Sequence, residues 1–311
     1  MKNDKPTTLN QRFGPIPNEM GFKKRMRLHQ GWWRTNVLSE EPGFHPIILT
    51  ENICNTIIDG NISKKNFLTS NTIISIDQTL SDRKEHEAGI IEQDRLFNNL
   101  LSSQPLCFNF FGELSADKNF GLKVLQSFYP KLTKLRRVIF EYAPTENFTK
   151  DNSAFDIAFE VEVDDTVGII GWECKYTDTF SATEYDKPAY REIFLKSNSF
   201  IGDFDELKKS RTNQLFRNQL IAEGLLQNKK YSFVFTGLFC YQKDIGALET
   251  ASYFQDLLHK QNSNFKVVTY SDFIKNIQML NIDWEHREWT MLLWARYCAT
   301  VLSEATIKQL G

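Results

Sequence analysis

Asp156 and the triplet Glu173-Cys174-Lys175 are the residues of this chain whose types and spacing can do chemistry. Two carboxylates can hold a hard divalent cation through oxygen, and an ammonium beside them can stabilise negative charge or polarise an attacking water. That set is what a metal-dependent phosphodiesterase needs. An acid-x-Lys triplet alone carries little. Asp82-Arg83-Lys84 opens a polar helical stretch, and Glu206-Leu207-Lys208 sits in the charged run from Asp203 to Arg211. Both read as solvated surface. Only the Glu173 triplet lies in an apolar run with an aspartate upstream.

Two strands must position these groups. Phe155, Ile157, Phe159, Val161 and Val163 alternate with Asp156, Ala158, Glu160 and Glu162, a period of two that puts Asp156 on the polar face. Trp172, Cys174 and Tyr176 alternate with Glu173, Lys175 and Thr177, so Glu173 and Lys175 share a face. Asp164-Asp165 is the natural turn, although Asp-Asp is a weaker hairpin signal than Asn-Gly or Asp-Gly. A two-residue turn pairs 163 with 166 and 156 with 173, which brings the two side-chain roots to about 5 Å. A slip of one residue would carry Glu173 to the other face. Like charges that close repel unless a cation sits between them. From spacing alone, a half-exposed hairpin and an active site both fit.

The pattern resembles the PD-(D/E)XK nuclease superfamily, the restriction-endonuclease-like fold. Ser102 to Asn109 (Ser-Ser-Gln-Pro-Leu-Cys-Phe-Asn), Phe140 to Pro144, Ala154-Phe155-Asp156, Glu173 to Thr177 and Gln214 to Asn218 look, in that order, like successive blocks of a group of candidate restriction endonucleases within it. The matches span roughly residues 84 to 240. In two places the chain departs from the broad pattern: Phe155, not proline, precedes Asp156, and Cys174 replaces the usual apolar middle residue. A free cysteine packs as a small hydrophobe, so the second change is mild.

The resemblance implies an α/β (α+β) fold: a restriction-endonuclease-like core with a mixed central sheet flanked by helices, here with extra N- and C-terminal helical segments. It implies hydrolysis of a DNA backbone with Mg2+, for which Mn2+ substitutes. Asp156, Glu173 and the backbone carbonyl of Cys174 would hold one or two ions, and Lys175 would orient water or stabilise the charge of the transition state. An upstream acid completes such a site. Glu92, Glu113 and Glu141 are the candidates, and the resemblance favours Glu113 or Glu92 because the extra acid comes from the preceding helix. Gln214 and Arg217, on the helix after the hairpin, can reach the phosphate or Lys175, or form a pair on the helix surface. A catalytically silent nucleic-acid-binding or assembly subunit with the same fold is the alternative.

Composition narrows the field. The chain has 311 residues and a net charge of -2, so there is no global basic excess. A DNA-binding protein can still be near neutral when its basic residues are local. No apolar run is long enough for a membrane span, and the first residues carry no apolar signal-peptide core. The cysteines Cys54, Cys107, Cys174, Cys240 and Cys298 are widely spaced and read as reduced thiols of a cytoplasmic protein. Phosphate-binding glycine loops, Cys-x-x-Cys pairs, the Gly-x-Ser-x-Gly elbow and a catalytic histidine pattern are all missing from the sequence. A homodimer would suit cutting of two strands, but no segment signals an interface.

Along the chain, residues 1–80 read as an N-terminal extension, 81–245 as the nuclease core and 246–311 as a C-terminal helical extension packed on it. In the extension, Lys23, Lys24, Arg25 and Arg27 precede Trp32 and Trp33, and basic groups beside aromatics suit DNA contact. The other reading is a segment anchored to the body by its tryptophans. Short β-like pieces fall at 47–49 and 72–76. Helices are expected over 82–101, 105–114, 119–128, 187–200, 211–226 and 247–260, with 271–304 mainly helical. Strands are expected over 135–142, 154–177 as a hairpin, and 231–241.

Overall fold

The computed structural model describes residues 12–14, 19–45, 48, 50–86, 89–259 and 265–309. In chain order the elements are α1 (Gly21–Asn36), α2 (Gly60–Ser63), α3 (Ser70–His86), α4 (Gln93–Phe97), α5 (Ser103–Ala116), α6 (Lys118–Gln126), β1 (Lys134–Tyr142), β2 (Phe155–Val163) and β3 (Thr166–Lys175). There follow α7 (Pro188–Leu195), α8 (Phe204–Leu207), α9 (Asn213–Gln227), β4 (Phe233–Cys240), α10 (Ile245–Asp256), β5 (Phe265–Thr269), α11 (Tyr270–Gln278) and α12 (Trp284–Leu293). A π-helical turn (Trp294–Cys298), a 3-10 turn (Thr300–Ser303) and α13 (Glu304–Gln309) complete the described chain.

The strands form one mixed sheet in the order β1-β2-β3-β4-β5. β1, β2 and β3 run antiparallel, whereas β4 lies parallel to β3 and β5 parallel to β4. The β2–β3 hairpin closes with Val163 opposite Thr166 and keeps its register to Ile157 opposite Trp172. Asp164 and Asp165 both have positive φ, 46° and 63°. A two-residue turn of that kind follows the right-handed twist of its strands, and aspartate tolerates it better than most residues.

Helices cover both faces of the sheet. On one, Ile157, Phe159, Trp172, Cys174 and Phe239 pack with Phe108, Phe111 and Leu114 of α5 and Phe273 of α11. On the other, α9 lays Leu215, Phe216 and Leu220 over Leu238 and Cys240, and Ile221, Ala222 and Leu225 over Ala158 and Ile169. The N- and C-terminal helical segments meet at the edge of the first of these clusters, to which Met26 and Tyr297 belong. Gln30 of α1 donates to the Tyr176 hydroxyl and to the Arg296 carbonyl, and Arg25 donates to the Ser303 hydroxyl.

Several local expectations differ from the structure. Residues 72–76 are helical, inside α3. Their β-branched side chains suggested a strand, but Thr72, Ser75 and Ile76, at helical spacing, are the buried ones and pack on α5 at Gly112. Two small polar residues and Ile76 carry the period, whereas Ile73 and Ile74 do not. The helix expected over 82–101 is split: α3 ends at His86, and the short α4 begins only at Gln93. Residues 265–269, left unassigned from the sequence, form the edge strand β5, too short to show alternation. The β-like piece at 47–49 lies largely outside the described residues.

Candidate active site

The β2–β3 register places Asp156 opposite Glu173, one step beyond the Ile157–Trp172 pair. β1 continues the row. Phe140 pairs with Ile157 and Tyr142 with Phe155, so Glu141 stands beside Asp156. Glu141, Asp156 and Glu173 therefore cross neighbouring strands side by side, and all three line the same cleft. Glu141 reaches this position with φ of 51°, a left-handed backbone that only strong surroundings impose on glutamate. Its carboxylate accepts from the Gln104 side chain at the start of α5.

Asp156 accepts the Cys174 backbone N–H at 2.6 Å. Burial pushes its carboxyl well above the usual range, and the neighbouring Glu173 and Glu141 charges push it further. A strand residue points its N–H and C=O to the same side, so the Cys174 carbonyl also faces the Asp156 side. The Cys174 thiol points into the opposite core, 3.9 Å from the Cys107 sulfur, and takes no part in the cleft.

Glu173 and Lys175 are buried, at 3% and 6% exposure, on the face covered by α9. Lys175 Nζ lies 3.0 Å from Glu173 Oε1 and donates to Gln214 Oε1 at 2.8 Å. Gln214 in turn donates its amide to Glu173 Oε1, and Asn218 donates to Glu173 Oε2 at 2.9 Å. Gln214 and Asn218 are four residues apart on α9 and share a helix face. The Lys175 main chain is pinned by the Tyr270 hydroxyl, and its ammonium lies 5.0 Å from the centre of the Phe180 ring. Burial works against the Lys175 charge, but the Glu173 and Asp156 carboxylates outweigh it and raise its pKa. The two carboxylates thus favour the charged form of Lys175.

The structure thus brings Asp156, Glu173, Lys175 and Gln214 together. The favoured upstream acids fare differently. Glu113 is nine residues beyond Gln104 on α5, about 14 Å along its axis. Its carboxylate is held by Asn71 instead. Glu92 sits on the cleft rim, 4.0 Å from Arg95. Glu141, on the strand and not on the preceding helix, is the acid that stands in register with Asp156. Asn218 was missed as a site residue. The sequence signal was its spacing of four from Gln214.

The basic segment of α1 divides. Arg27 is 5% exposed and paired with Glu19 at 2.6 Å, and it also donates to Asn55. Arg25 donates to the C-terminal segment. Arg27 is closed to a phosphate, which corrects the expectation of DNA contact for it, whereas Arg25 is only half-buried. Lys23 and Lys24 remain exposed. Trp33 is buried at 2%, as anchoring requires. Arg217 lines the cleft beside Asn218 and is paired with Asp151.

The profile of one protein family, the PD-(D/E)XK nuclease superfamily, matches residues 17–299, and the chain belongs to this superfamily. Its class is that of nucleases, which generally use divalent metals, typically Mg2+, and act on nucleic acid. Comparison with curated proteins and with solved structures gave no match. Among the described residues no helix is long and apolar enough to cross a membrane.

The donor set fits such a metal in one particular way. Among the described residues no three His, Cys, Asp or Glu side chains converge as a ready cage. Asp156, Glu173 and the Cys174 carbonyl would offer only a sparse set of oxygens, which would suit Mg2+, an ion that keeps several of its waters. Burial is the main cause of the upward push on Asp156, with the Glu173 and Glu141 charges adding to it and Lys175 opposing it.

Proposed function

We propose that the protein is a metal-dependent DNA endonuclease whose centre is Asp156, Glu173 and Lys175. The observation that carries this reading is the row of carboxylates across β1, β2 and β3 with a buried ammonium 3.0 Å from one of them. Asp156, Glu173 and the Cys174 carbonyl would hold Mg2+, with Glu141 as the nearby third acid. When bound, the metal supplies Lewis-acid activation of the phosphate and a more acidic water.

The chain's own residues do the rest. Lys175, held positive by Glu173 and Asp156, stabilises the negative charge that builds on the phosphate as it is attacked. Gln214 bridges Lys175 and Glu173 and fixes their separation. Asn218 holds the second Glu173 oxygen. The exposed Lys23 and Lys24 offer sequence-independent contact to a DNA backbone.

A cleavage assay on plasmid, linear and single-stranded DNA with Mg2+ or Mn2+ tests the reading. Lys175→Ala and Asp156→Ala are expected to abolish cutting while DNA binding persists. Cutting that survives both changes would show that the centre lies elsewhere. A wild-type protein that binds DNA and never cuts it would leave the silent-subunit alternative.

A further inference from the structure

The cleft has two lobes that share Glu141, Asp156, Glu173 and Gln214. The larger, about 480 Å³, carries Arg95 and Lys175. The smaller, about 190 Å³, carries Arg217 between Asn152, Ser153 and Asn218. Cations thus flank the carboxylates from both sides.

Arg217 is held in a fixed attitude. Its Nε and Nη2 donate to Asp151 Oδ2 at 3.3 and 3.1 Å, and its guanidinium stacks over the Tyr185 ring at 4.3 Å. The Tyr190 hydroxyl also lies against the guanidinium; the five N–H groups of an arginine outnumber these contacts. Asp151 does not need an arginine for its own satisfaction. It already accepts from the Thr149 hydroxyl at 2.7 Å, the Ser153 hydroxyl at 2.7 Å, the Ser153 N–H at 3.1 Å and the Tyr190 hydroxyl. Nor is Arg217 drawn to Glu173, whose oxygens are taken by Lys175, Gln214 and Asn218. A guanidinium oriented by a carboxylate and stacked on an aromatic ring, with donors to spare, is preorganised for a phosphate.

We propose that Arg217 binds the phosphate adjacent to the scissile one on the same strand, and that Asp151 is the positioning residue that aims it. This rests on the nuclease reading above and deepens it: Lys175 serves the phosphate being cut, and Arg217, from the other lobe, its neighbour. The favoured substrate is then a strand with consecutive phosphates, and a lone phosphodiester is a poor one.

The test compares an oligonucleotide with bis(p-nitrophenyl) phosphate, which has one phosphodiester. Arg217→Ala is expected to lower kcat/KM on the oligonucleotide at least tenfold more than on the single diester, mainly through KM. Equal losses on the two substrates would put Arg217 on the scissile phosphate and overturn the proposal. Oligonucleotide binding, read by fluorescence anisotropy in Ca2+, should lose about one unit of salt-dependence slope in Arg217→Ala. A wild-type slope in the variant also overturns it. Arg217→Lys keeps the charge and should recover the slope, but only part of the affinity, because the planar fork is lost. Asp151→Asn, which keeps the shape of the side chain, should show the same KM-weighted defect, smaller in size. Combined with Arg217→Ala it should add nothing, whereas additive losses would remove Asp151 from the role. Wild type that binds in Ca2+ but cuts nothing would sink the nuclease reading while the slope still decides about Arg217. Absence of any binding would sink both.

Discussion

Asp156→Asn is expected to make the metal-free protein more stable and the enzyme inactive. In the folded chain the Asp156 and Glu173 side chains leave opposite positions of a hairpin, with roots about 5 Å apart. At an effective dielectric constant of about 20, two unit charges at that distance repel by about 3 kcal/mol. Glu141, next in the row, adds to the repulsion, and Lys175, 3.0 Å from Glu173, offsets part of it. The amide keeps an oxygen for the Cys174 N–H, so that hydrogen bond survives. A net gain of about 1–2 kcal/mol remains, which corresponds to a rise in Tm of about 2–6 °C for a chain near this size.

The sign with pH follows from the direction of the Asp156 shift. Its folded pKa lies well above the unfolded value of 3.8. Below 3.8 both states are protonated, and the carboxyl costs nothing. As pH rises from there toward the raised folded value, the unfolded chain has already released its proton and the folded one has not, so wild type loses stability relative to the variant. Urea unfolding in EDTA between pH 4 and pH 8 reads this directly: the gap between variant and wild type should widen with pH. Adding Mg2+ should reverse the order, because a ligand at a hundred times its Kd stabilises the folded state by about 2.7 kcal/mol, and only wild type retains the site. A variant less stable than wild type in EDTA, or a gap independent of pH, would refute the picture of unbalanced carboxylates awaiting a cation.

Asn218→Ala should raise the Mg2+ concentration needed for half-maximal cleavage, within the 10- to 100-fold range typical of residues that orient a metal ligand, because Glu173 Oε2 loses its donor; a metal titration at fixed DNA checks it, and an unchanged midpoint counts against the role. Gly171→Ala should destabilise the fold by about 1–3 kcal/mol, since overpacking forces neighbours to move. A Cβ there would lie 2.4 Å from the buried Phe155 ring, next to Asp156, so a normal urea midpoint would contradict the packing at the end of the hairpin.

The β2–β3 hairpin was legible because its information is local. Alternation along residues 155–163 and 172–177 fixes which side chains share a face, and a two-residue turn fixes the register. The outcome, Val163 opposite Thr166, follows from those alone. Gln214 was legible through its place in a motif. What escaped depends on contacts between distant segments. Thr72, Ser75 and Ile76 form a helix face only because Gly112 lets α5 approach. Arg25 and Arg27 read as free basic groups, yet Glu19, Asn55 and the C-terminal segment engage them. Asp151 gave no signal at all: Thr149 and Ser153 bond it locally, but Tyr190 and Arg217 reach it from 39 and 66 residues further on.

The third carboxylate shows the same limit from the other side. Glu141 was weighed as an acid of the first strand and ranked behind Glu113 and Glu92 because the resemblance draws the extra acid from the preceding helix, and nothing in the alternation of β1 relates that strand to β2. The two strands are joined by residues 143–154, too long a connection to set register by turn geometry. Only the pairing of Phe140 with Ile157 and Tyr142 with Phe155 places Glu141 next to Asp156. Its left-handed backbone is a second mark, because a glutamate holds φ of 51° in a strand at a cost of about 1–3 kcal/mol. Gly89 packs against it so closely that a Cβ there would lie 2.6 Å from the Glu141 carbonyl oxygen. A strained residue braced by a close-packed neighbour, beside an aspartate whose charge it disfavours, is hard to explain as a structural convenience. The strain and the repulsion both make sense if this end of the sheet is built to gather negative charge around a cation.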